Sequence, residues 1–344
     1  MAAAVAPARL SWLDTARGIA IVLVVLHHSV LFTAAAGVAH PAWVHVNGAL
    51  NTFRMPLFFF VSGLLAAGAV RRDWRALLGG RVLLLVWVYV LWSLLSGVWF
   101  RVVPDVRERG EEWSALPWSV LTADTPIWYL YALALFLVVG RAGRGLPTWA
   151  LLGATGVLSL VVGADLVVLP SWAWQSMATF AFFFFAGSRV REPVLAWARR
   201  PVRWRGAAAA AAACAALNVA AFAALGADVL AAPGVRFVLS VSAVAAGCVV
   251  ARWASTARAG RGLAAVGRST LPLYVVHGMV VGTLALAFLP FADGPLGGPV
   301  GLVAPALVLV VGLAVTAAVR PFVERVPGAL APPRRLVRVA TPVA

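Results

Sequence analysis

An arginine followed eleven positions later by a histidine, inside one long apolar run, is the arrangement in this sequence best suited to chemistry. The run reads LSWLDTARGIAIVLVVLHHSV, with Arg17 and His28 as the pair. In a helix, eleven residues make three turns plus about 20°, so the two side chains share a face, with His28 roughly 17 Å further along the axis. Asp14 falls within about 60° of the same face, and His27 about 100° away from His28. A neutral imidazole near physiological pH takes a proton from a hydroxyl or carries a transferred group. A guanidinium orients an anionic donor or balances developing negative charge. Ionisable groups at membrane depth are costly and mark function. The plainer alternative is a hydrogen bond to a neighbouring helix, which suits His27 better than His28. Asp14 is roughly 20 Å from His28 along the axis and so does not orient it.

A second run, RSTLPLYVVHGMVV, places Thr270, Tyr274 and His277 within about 60° of one another, with His277 roughly 10 Å inside the bilayer. His28 and His277 therefore reach similar depth from different helices. A third run, FRMPLFFFVSGLLAAG, offers Ser62–Gly63 as a notch for a close helix crossing or a thin ligand. It is followed by Arg71, Arg72, Arg75 and Arg81. Arg72 and Arg75 share a face if helical, and such forks bind phosphates bidentately. His40 and His45 are too few for a metal site, and none is expected. Cys214 and Cys248 lie in apolar runs and suit a packing role. No G-x-S-x-G elbow occurs, which disfavours a serine nucleophile. The Asp105–Asp124 stretch carries acids beside Trp113 and Trp118, with Trp128 following; such surfaces hold sugars, though an interfacial loop looks the same.

These residues must be held by a membrane scaffold. Of 344 residues, 62% are hydrophobic and 12% charged, against a quarter charged in ordinary soluble domains. Mean hydropathy is +0.93. A water-soluble globule, a nucleic-acid-binding module and a disordered chain are excluded. The expected fold is all-α and polytopic, with about ten transmembrane helices near 16–36, 53–70, 80–103, 127–139, 148–168, 172–188, 206–225, 235–251, 271–289 and 300–319. The first is read as an uncleaved helix, because Arg17 abuts it and His27–His28 interrupt it.

Charge supports this layout. All 28 basic residues are Arg, giving a net charge of +16. With both termini cytoplasmic and sides alternating, 23 Arg and four of the twelve acids fall inside. Arg gathered in short clusters between apolar runs fits topology and lipid headgroups rather than nucleic acid. Residues 1–319 then form the membrane domain, and 320–344, with five Arg and five Pro, a flexible cytoplasmic tail near anionic lipid.

The segments WLDTARGIAIVLVVLHHS and MPLFFFVSG resemble the membrane-bound acyltransferase 3 family, close to its fucose-O-acetylase-like branch. The resemblance runs loosely over the whole chain and is strongest over the first 81 residues. The family's basic residue, ten intervening residues and histidine fall on Arg17 and His28. Its Arg-x-x-Arg falls on Arg72 and Arg75, its phenylalanine-rich Ser-Gly motif on Ser62 and Gly63, and its aromatic segment on Trp128 and Tyr129. Its late histidine motif falls on His277, within LYVVH beside Tyr274. Its third-helix Arg falls on Arg81, but the proline that normally follows is missing.

The resemblance implies an integral enzyme of the cytoplasmic membrane. It would move an acyl group, often acetyl, from acyl-CoA to a hydroxyl of a glycan, a lipid-linked sugar or a secondary metabolite. His28 would be general base or acyl carrier, Arg17 would orient the donor, and His277 would handle protons or position. Arg72, Arg75 and Arg81, with Ser62 and Gly63, would hold the CoA donor; Trp128, Tyr129 and Tyr274 would contact the acceptor. The alternative is a transporter or flippase of a lipid-linked sugar, which also needs intramembrane polar groups but does not modify its cargo; neither repeats nor paired broken helices point to it.

Overall fold

A computed structural model describes residues 11–103, 112–230, 232–292 and 297–333. Each apolar stretch is helical, as lipid demands of a backbone that has no water to bond. The helices are α1 (Ser11–Ala35), α2 (Asn51–Ala66), α3 (Leu83–Val102), α4 (Trp128–Ala142), α5 (Thr148–Gly163), α6 (Trp172–Arg189), α7 (Trp204–Leu225), α8 (Val235–Ala254), α9 (Thr270–Ala285) and α10 (Gly297–Arg325). Strands are absent among the described residues. Seven helical stretches are long and apolar enough to cross a bilayer unaided: Ser11–Ala35, Pro41–Ala66, Trp74–Val102, Trp204–Leu225, Val235–Ala254, Thr270–Phe291 and Gly297–Arg325. Helices α4 and α5 are short, and Gln175, Ser176 and Arg189 dilute α6. The protein is an all-α, multi-pass membrane protein.

Helix α1 is the axis of the bundle, packing against α2, α8, α9 and α10. Its first half also meets an amphipathic helix, Arg258–Arg268. Two crossings are close enough to require glycine. A Cβ on Gly63 would strike the Phe184 carbonyl, and one on Gly187 would strike the Phe60 carbonyl, so α2 and α6 lie backbone to backbone. Gly18 meets the Leu263 carbonyl and Gly267 the Asp14 carbonyl in the same reciprocal way. Such crossings let dispersion act over the whole contact, where apolar attraction between helices in lipid is weak. The core centres on Ile21, Leu57, Phe59 and Phe184, between α1, α2 and α6. Helix α7 buries only Ala207 among its residues and is the outermost.

Two expectations meet the structure differently. The condition for Arg72 and Arg75 to share a face, one helix through both, is not met. Asp73 caps a short helix, Trp74–Ala76, by accepting from the Ala76 N–H at 2.7 Å, and a π-helical turn, Leu77–Val82, leads into α3. That hydrogen bond holds the Asp73 carboxyl below its usual range. Arg72 therefore precedes the helix that carries Arg75, so the two do not share a helix face. Nor is 320–333 a loose tail. Helix α10 continues through Arg325, and the chain beyond it folds onto α3. There the indole N–H groups of Trp87 and Trp92 donate to the Gly328 and Ala329 carbonyls, each at 2.7 Å. Residues 334–344 of the expected tail lie outside the described residues.

Candidate active site

The polar groups of α1 serve two cavities at different depths. The first, about 440 Å³, is lined by Arg17, Ser62, Arg81, Tyr129, Thr270 and Tyr274, with Leu and Phe between them. The second, about 480 Å³, is lined by His27 and His28, by Arg54 of α2 and Arg236 of α8, and by Asp124, Trp128, Trp172 and Tyr274. Tyr274 borders both cavities. It meets Tyr129 edge-on at 5.6 Å between centroids, and Tyr129 stacks on Phe58 at 4.5 Å. This aromatic wall separates the cavities. The Ser62 and Tyr129 hydroxyls pair at 2.5 Å on its Arg17 side.

His28 and His277 meet: His277 Nε2 lies 3.3 Å from His28 Nδ1, with ring centroids 4.8 Å apart. His277 is 1% exposed, and its Nδ1 lies 2.6 Å from the Tyr274 carbonyl. A carbonyl only accepts, so His277 Nδ1 carries the proton. In the neutral ring Nε2 is then an acceptor. His28 Nδ1 lies 2.9 Å from the Val24 carbonyl, which likewise only accepts. His28 Nδ1–H thus donates to both Val24 O and His277 Nε2. That assignment leaves the lone pair on His28 Nε2, which has no protein partner among the described residues, on a ring that lines the second cavity. The backbone and His277 together orient His28, a role for which the sequence offered no residue.

The other expected residues divide. Arg17 and Arg81 line the first cavity with Ser62. Arg72 and Arg75 are exposed and line neither cavity. Gly63 faces the α6 backbone rather than a cavity. Trp128 borders the His28 cavity and Tyr129 the Arg17 cavity, as a 100° step between neighbours allows. His27 Nδ1 donates to Asn47 Oδ1 at 3.1 Å, a packing bond. His40 caps the short helix Pro41–Ala49, and no cluster that could hold a metal occurs among the described residues. Sequence reasoning passed over Arg54 and Arg236. Each is a single arginine at the edge of an apolar stretch, which was signal enough.

The acyltransferase 3 family model, described as an acyltransferase domain, matches residues 10–319. Inner membrane protein YcfT of Escherichia coli (strain K12) is 27% identical over 190 residues, covering 48% of this chain and 52% of that protein. The chain spans about half the length of this curated relative. No solved structure matches. With His28 of α1 paired to His277 of α9 and the family model covering nearly its whole length, this chain belongs to the membrane-bound acyltransferase 3 family.

Proposed function

We propose that the protein is an O-acyltransferase of the cytoplasmic membrane that moves an acyl group, in the simplest case acetyl, from acyl-CoA to a hydroxyl of a glycan, a lipid-linked sugar or another surface or secondary metabolite. The observation that carries this reading is the His28–His277 pair, whose hydrogen bonds leave His28 Nε2 as a free base on a cavity wall.

The donor belongs in the Arg17 cavity. The weight of arginine at that end of the bundle supports a cytoplasmic face, where CoA thioesters occur. Arg81 lines the cavity, and the exposed segment carrying Arg71, Arg72 and Arg75 follows α2 at the same end, suited to CoA phosphates. The acceptor belongs in the His28 cavity, where Trp128 and Trp172 offer ring faces to a sugar. At the wall between them the hydroxyl oxygen attacks the thioester carbonyl. The new C–O bond forms, the C–S bond breaks, and His28 Nε2 takes the hydroxyl proton and returns it to the departing thiolate. The Ser62–Tyr129 hydroxyl pair supplies donors for the carbonyl oxygen, and the apolar surround limits hydrolysis.

The test is transfer from radiolabelled acetyl-CoA in membranes carrying the full chain, read as labelled acceptor and as released CoA thiol. His28→Gln should lower both by about 10²–10⁴-fold at equal expression, the usual contribution of a general base. Equal labelling from native and variant protein would remove His28 from the chemistry. Cargo movement without thiol release would favour the lipid-linked-sugar transporter.

A further inference from the structure

Among the described residues, the His28 cavity is lined by three arginines, Arg54, Arg101 and Arg236, and by one carboxylate, Asp124. Arg54 is 6% exposed. Its Nη1 donates to the Asn47 carbonyl at 3.0 Å and to Asn47 Oδ1 at 2.9 Å, and its Nη2 to Asn51 Oδ1 at 3.4 Å. Every one of these partners is neutral. Arg236 reaches the same cavity from α8, near enough to repel Arg54. Its guanidinium lies over the Phe180 ring at 5.8 Å, and its Nε is buried with no hydrogen-bond partner among the described residues. Asp165 acts on Arg236 electrostatically, but it does not line the cavity, and its Oδ1 accepts from Gln175 Nε2 at 2.9 Å.

Asp124 is the one carboxylate on the cavity wall among the described residues, and its Oδ1 is committed to the start of α6. It accepts from the Ser171 hydroxyl at 2.5 Å and from the Ala173 N–H at 3.3 Å. Arg101 also lines the cavity, but it is engaged with the Gly97 and Glu112 carbonyls and the Trp113 ring. A guanidinium held out of water on neutral partners, as Arg54 is, carries a cost that an anion offsets, and its planar fork matches phosphate and carboxylate. Arg54 and Arg236 line one cavity with His28, Trp128 and Trp172, an arrangement suited to an anion.

Resting on the acyltransferase reading, we propose that the acceptor is a hydroxylated molecule bearing a phosphate or carboxylate, which Arg54 and Arg236 hold while one of its hydroxyls meets His28. The sugar-phosphate headgroup of a membrane lipid and a free anionic sugar share this chemistry.

Binding to the purified full chain in nanodiscs tests this without requiring turnover, read by quenching of tryptophan fluorescence, to which Trp128 and Trp172 contribute. The probes are glucose, glucose 6-phosphate, glucuronate and farnesyl phosphate. The anionic probes should bind at least tenfold more tightly than glucose. Arg236→Gln, which removes no hydrogen bond made by Arg236 among the described residues, should weaken them at least tenfold and leave glucose unchanged; Arg54→Gln should do the same in protein that elutes as a native-like particle. Farnesyl phosphate binding above both sugars would identify a lipid source, and the reverse order a free sugar. Equal binding of glucose and glucose 6-phosphate, or anion binding indifferent to Arg236→Gln, would overturn the subsite while leaving His28-dependent transfer intact. Anion binding with no thiol release from acetyl-CoA would instead keep the subsite and remove the enzyme reading.

Discussion

His28 is held from behind, by a backbone carbonyl and a second ring, so that its remaining nitrogen is left for a ligand. If His277 acts through that bond, His277→Ala should slow acyl transfer by about tenfold or more, the rate equivalent of one hydrogen bond of ~1.5 kcal/mol, with little change in the KM for acyl-CoA. His277→Gln, whose amide oxygen can still accept, should recover part of the loss; steady-state thiol release measures both, and unchanged kcat in the two variants would refute the positioning role. Arg17, His28 and His277 were legible because helical periodicity alone sets which residues share a face and a depth. The partnership of the two histidines was not, since periodicity says nothing of which helices touch. The shared face of Arg72 and Arg75 was conditional on one helix through both, and the cap at Asp73 starts a new helix between them. Arg54 and Arg236 are 182 positions apart in the chain, and only the cavity that both line brings them together.

At the scale of elements, the site depends on how near α2 can come to α6. Gly63 and Gly187 set that distance, each against a carbonyl of the opposite helix. Gly187→Val should destabilise the protein by about 1–3 kcal/mol through overpacking and should also displace Ser62 from Tyr129. Gly68→Ala, where a methyl group meets nothing within 4 Å, should be neutral. Thermal melting of the two variants in one detergent checks the contrast; equal melting would mean the crossing yields freely. The helices themselves were plain from apolarity, because lipid leaves the backbone few alternatives. The fold-back after α10 was hidden, for it rests on two indole donors of α3 meeting carbonyls more than 230 positions away in the chain.

At the scale of the molecule, one helix carries an arginine and a histidine at two depths, and each serves its own cavity. The arrangement suits a donor and an acceptor that approach from different levels of the membrane and react at their shared wall. It also sets the two cavities on either side of Phe58, Tyr129 and Tyr274. Those three rings are then an electrical insulator. Each elementary charge crossing a potential of 100 mV releases about 2.3 kcal/mol, so a wetted path here would drain the energised membrane continuously. Tyr274→Ala should open such a path: reconstituted vesicles holding a proton gradient should lose it faster with the variant than with native protein, and equal decay would place the seal elsewhere. The bulk of Tyr274 is then a cost of working inside a charged capacitor, a constraint that a soluble acyltransferase never meets.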